Sequence, residues 1–86
     1  MTDSKTKPKD WRAIGASAVE HCWWFISPAC FTNTKHPTIH HAADTASLHW
    51  MHPSQRRKQS NVEAFMDGFI TEAKRIAIKR GWEVRS

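Results

Sequence analysis

His36 and His40 stand four residues apart, His49 and His52 three apart, and Cys22 and Cys30 are the two thiols of the chain. Imidazoles at helical spacing can reach one zinc ion, and a thiolate completes a four-ligand site. Those six residues are the candidate metal set, with His41 and His49 a further pair two turns apart on one helix face. The pattern departs from finger-type zinc sites, in which close cysteines pair with close histidines. Here the cysteines are eight apart. The same side chains also read as ordinary histidines satisfied by backbone carbonyls or water. The expectation is therefore no resident cofactor, with structural zinc as the alternative.

Catalysis has little to draw on. His21 adjoins Cys22, but adjacent residues on a helix point about 100° apart and do not face each other. The three glycines are isolated, so no glycine-rich phosphate loop is present. Glu63, Asp67 and Glu72 lie on the polar side of a C-terminal helix among cations and read as a solvated face. The expectation is a protein that is not an enzyme.

Aromatic and basic side chains remain. Five Trp and four Phe are a large ring content for 86 residues, enough for a core and for rings left over to meet a partner. Trp23 and Trp24 are adjacent, so on a helix both cannot enter one core, and an exposed indole is a common binding anchor. Trp23, Trp24, Trp50 and Trp82 are the candidate partner-binding residues. The net charge of +5 is uneven: residues 13–53 carry Lys35 alone against Glu20 and Asp44, while both flanks are basic. Arg56, Arg57 and Lys58 precede a helix, and Lys74, Arg75, Lys79, Arg80 and Arg85 cluster at its end. These cations could contact phosphates, and tryptophans could stack on bases. Nucleic-acid binding is accordingly the second functional reading.

The elements that must position these groups follow from periodicity. Val62, Phe65, Met66, Phe69, Ile70, Ala73, Ile76 and Ala77 form the apolar stripe of a helix over 60–81. Ser60 with Glu63 reads as its capping box, and Gly81 as its left-handed stop. Asp10 reads as the N-cap of a first helix over about 11–26, ended by Pro28. Thr38 caps a second, 39–51, stopped by Pro53. Residues 27–38 and 54–59 read as connections. Ala64 and Gly68 leave a notch where another backbone can come close. The expected core is Trp11, Ile14, Phe25, Ile39, Phe65, Phe69, Ile70 and Ile76.

The fold class expected is mainly α: a small three-helix single domain over 10–86 behind a disordered, charged tail at 1–9. The alternative is α+β, with short strands near 22–27, 47–52 and 82–85. The apolar stretch from Ile14 to Phe31 is interrupted by Glu20, His21 and Pro28, so no membrane span is expected. The polar start lacks a signal peptide, which makes the cytoplasm the expected compartment.

In general character this short, basic, aromatic-rich chain without a catalytic motif resembles the small accessory proteins of bacteriophages and mobile elements. That resemblance implies a non-enzymatic binder that inhibits or regulates a host protein complex. A protein partner is the first expectation, nucleic acid the second, and a homodimer is open.

Overall fold

A computed structural model describes residues 10–35 and 38–84. The expected tail at 1–9, His36 and Arg85 lie outside the described residues. The mainly α expectation holds, and among the described residues there is no strand. Three long helices carry the fold: α1 (Trp11–Cys22), α3 (Ile39–Trp50) and α5 (Gln59–Lys79). Two short ones, α2 (Ala29–Thr32) and α4 (Pro53–Arg56), occupy segments that read as connections.

Two caps form as their residue types require. The Asp10 carboxylate accepts from the Ala13 amide at 3.1 Å, and the Thr38 hydroxyl accepts from the His41 amide at 3.4 Å. Gly81 takes φ +85°. The Trp82 amide then donates to the Ala77 carbonyl at 2.9 Å and the Gly81 amide to the Ile78 carbonyl at 3.0 Å. This pair of bonds is a Schellman ending, which turns Trp82 back toward the body of the protein.

Two boundaries differ from the periodicity. Helix α1 stops at Cys22 and gives way to a single 3-10 turn, Trp23–Phe25, after which Ile26 is extended at φ −96°, ψ 131°. Four large apolar residues in a row cannot all face one side of an α-helix. The tighter turn splits them, burying Ile26 and leaving Trp24 in solvent. At the other end, α5 begins at Gln59 with Lys58 as its cap residue and no side-chain cap. The Ser60–Glu63 box does not form, because Ser60 is already inside the first turn. The Asn61 side chain instead donates through Nδ2 to the Gln55 carbonyl at 3.0 Å, tying that turn to α4. The capping box that does exist is one element earlier. The His52 ring accepts from the Ser54 amide, and the Gln55 side chain accepts from the His52 amide at 2.8 Å.

Helix α5 is the spine, packed most extensively against α1 and next against α3. Phe65 and Phe69 are fully buried, with ring centroids 6.2 Å apart. Trp11, Val19, Phe31, Ile39 and Met51 close around them, with Ala18, Ala43, Ala46, Ala73 and Ala77 at the close approaches. Of the expected core, Ile14, Phe25, Ile70 and Ile76 are only half-buried against this cluster. The notch at Gly68 is used within the fold: α1 fills it. Ser47 is the one polar residue among the buried ones described, and its hydroxyl donates to the Asp44 carbonyl at 2.7 Å. No helix among the described residues is long and apolar enough to cross a membrane.

Candidate ligand-binding groove

The 3-10 turn sends the paired indoles in opposite directions. Trp23 turns inward and stacks on Trp82, centroids 5.3 Å apart and planes 23° from parallel. Phe31 lies 6.0 Å from the same Trp82 ring, and the Arg80 guanidinium sits 5.2 Å above Trp23. Trp24 is turned outward and is 83 % exposed. The four candidate tryptophans therefore divide. Trp23 and Trp82 are a half-buried stack that anchors the end of α5 to the turn after α1. Trp24 and Trp50 line a groove.

That groove, of about 260 Å³, lies where α1 and α3 both end. The last turn of α1 contributes His21 and Cys22, the 3-10 turn Trp24 and Phe25, and α3 contributes Thr45, His49 and Trp50. Phe25 meets Trp24 edge-on, 5.1 Å between centroids and 78° between planes. The His21 ring lies 5.5 Å from Trp50, tilted by 43°. Trp50 is 40 % exposed. Beneath it is the buried Cys22 thiol. Burial pushes that thiol up from its ordinary range, and a hydrogen bond from the Trp50 side chain pulls weakly the other way. A thiol held protonated in this way is a poor nucleophile.

The described zinc-donor candidates do not assemble. Although His21, Cys22 and His49 share the groove, among the described residues no three His, Cys, Asp or Glu are placed to hold a metal ion. Cys30 and His40 line a different cavity, between α2 and the start of α3, and Cys30 Sγ is 3.8 Å from Ser27 Oγ. The His52 ring is committed to capping α4. Spacing alone suggested a set; its described members stand in three separate places.

The cations do not form one surface either. Arg56, Arg57 and Lys58 stand at the start of α5, and Lys74, Arg75, Lys79 and Arg80 in or after its last turns, with Arg56 donating to Asp44 at 3.4 Å. Twenty-one residues of helix put roughly 30 Å between the two ends. Arg75 is held by Glu72 through two hydrogen bonds of 2.9 and 2.6 Å, and Arg80 by the Trp23 face. The Glu72 carboxyl is correspondingly held below its usual range, first by the hydrogen bonds from Arg75.

Another recess, of about 500 Å³, runs between the start of α1 and the middle of α5. It is shallow and lined by Asp10, Ala13, Ala16, Asp67 and Thr71, and the Arg12–Asp67 ion pair bridges it. Small side chains and matched charges give a ligand little to hold.

Sequence reasoning singled out Trp24 and Trp50 but missed His21, Thr45 and Phe25 as their neighbours. The available signal was the i, i+4 spacing of Thr45 and His49 beside Trp50, which becomes meaningful only once the end of α1 is known. Comparison with protein-family models, with curated proteins and with solved structures gives no match.

Proposed function

We propose that this protein is a non-enzymatic binding module that engages a partner protein through the groove between Trp24 and Trp50. The observation that carries the reading is the 83 % exposure of Trp24. A largely exposed indole beside a second, partly exposed one is the composition of an interface centre, where Trp is enriched as an anchor. Together with the resemblance in character to phage and mobile-element accessory proteins, this supports a stoichiometric inhibitor or regulator of a host complex, acting in the cytoplasm. Nucleic-acid binding is the weaker reading, because its cations stand at two ends of one helix and several are already engaged.

The test is capture of a partner from host lysate by immobilised protein, compared across three baits at low and high salt. Wild type and an Arg56→Ala, Arg57→Ala, Lys58→Ala triple variant should retain the same partner, and retention should survive added salt. Trp24→Ala should weaken binding to that partner, once purified, by about 2 kcal/mol or more. The reverse ranking, with binding that collapses as salt rises, supports the nucleic-acid reading instead.

A further inference from the structure

Resting on that reading, the electrostatics of the groove narrow what can enter it. Its lining is largely aromatic: Trp24, Trp50 and Phe25, with the His21 ring tilted against Trp50. An aromatic face is the negative part of the ring's quadrupole and attracts cations. Both framing helices also end here, α1 at Cys22 and α3 at Trp50. A helix C-terminus carries the negative end of the backbone dipole, so two such ends reinforce the sign set by the rings.

Fixed charges agree. Every wall comes from residues 13–53, a segment whose one Lys or Arg is Lys35. No lysine or arginine lines the groove. The carboxylates nearest in sequence to its walls are Glu20, beside His21, and Asp44, beside Thr45, the latter accepting from Arg56. The titratable groups that line it are His21, His49 and the protonated Cys22 thiol. An anion would find no permanent positive charge, whereas a soft cation would find π faces and two carbonyl ends.

We propose that the groove binds an organic cation, presented by the partner protein as an arginine or N-methylated lysine side chain. The volume of about 260 Å³ suits one such head group, being smaller than the roughly 300–1,000 Å³ typical of sites for whole drug-sized ligands.

The probe is choline, compared with its uncharged carbon isostere 3,3-dimethylbutan-1-ol and with the anion 3,3-dimethylbutanoate. Binding is followed by the indole N–H signals of ¹⁵N-labelled protein at constant ionic strength, at about pH 8, above the ordinary imidazole range. Choline should shift the Trp24 and Trp50 signals saturably, with the isostere about tenfold weaker and the anion weaker still. Trp24→Ala should abolish the shift at Trp50. Trp50→Phe keeps an aromatic ring on that wall while removing the N–H, so choline should still move the Trp24 signal. An isostere or anion that binds as tightly as choline, or no saturable shift up to about 100 mM choline, overturns the cation site. The two readings fail separately. Partner binding lost in Trp24→Ala while choline does not bind leaves the interface and removes the cation. Choline binding with partner capture indifferent to Trp24→Ala does the opposite.

Discussion

Gly15 on α1 and Gly68 on α5 each lie directly against the backbone of the other helix. A Cβ added at Gly15 would run into the Phe65 carbonyl and come within 3.1 Å of the Phe69 nitrogen; one at Gly68 would run into the Arg12 carbonyl and within 3.0 Å of its Cα. What they would meet is backbone, which cannot rotate away. The two glycines therefore set the distance between α1 and α5, and Arg12 and Asp67 pair across the same seam.

Gly15→Ala or Gly68→Ala should consequently destabilise the fold, although alanine is the better helix former. Overpacking costs about 1–3 kcal/mol, which in a domain of this size lowers the melting temperature by about 4–8 °C per kcal/mol. A thermal melt of either variant that matches wild type would show that the helices can separate without cost.

Phe69→Ala tests the centre of the core. Phe69 is fully buried beside Phe65, and its removal should cost about 3–5 kcal/mol. That is enough to leave a small domain largely unfolded at room temperature, and circular dichroism reads the loss of helix directly.

Trp23 and Trp24 should respond in opposite ways to the same substitution. Trp24→Ala should leave stability within about 0.5 kcal/mol, as exposed changes do. Trp23→Ala removes the ring between Trp82 and Arg80 and should cost about 1.5–3 kcal/mol. Denaturant midpoints of the two variants decide the matter; equal losses would mean that the 3-10 turn does not separate the indoles as described.

Cys22 gives the pH dependence. Its thiol is raised above the ordinary 9.0 by burial. A raised value in the folded state means that the unfolded chain gives up the proton first. The contribution of Cys22 to stability is therefore fully present below pH 9 and is lost as pH rises through the folded value. Chemical denaturation repeated from pH 7 upward should show the decline in wild type and a smaller one in Cys22→Ala. Native-state alkylation followed by mass spectrometry should find Cys22 slow to react at neutral pH.

Much of the backbone was legible from single residues. Asp10, Thr38 and Gly81 act where they stand because a cap needs only one side chain, or one absent side chain, at a helix end. The stripe from Val62 to Ala77 was equally clear, since α5 is long enough for its period to dominate. Ser60 misled because a capping box is a local signal, and a longer-range bond, Asn61 to Gln55, set the first turn differently. Helices α2 and α4 have four residues each, far below the length at which helix formation is favourable alone, and exist through packing and caps that periodicity does not register. The division of Trp23 from Trp24 was foreseeable, but not its sense. Which ring turns inward depends on where α1 ends and on Trp82 returning across Gly81, sixty positions later in the chain. The histidine spacings assumed pairs on single helices, but His52 stands beyond the end of α3 as the cap of α4, and among the described residues no metal set comes together.

The seam between α1 and α5 also governs the order in which this protein can be made. Its partners are far apart along the chain, as the 55-residue separation of Arg12 and Asp67 illustrates. During synthesis α1 emerges first, with its buried face, Trp11, Ala18 and Val19, lacking the helix that covers it. It stays uncovered until Phe65, Phe69 and Ala73 have left the ribosome. Completion of the core thus waits for α5 and requires closing a long loop. A nascent chain stalled before α5 would display the α1 face and the Trp23–Trp24 pair together, as a substrate for chaperones or proteases rather than as a binding module.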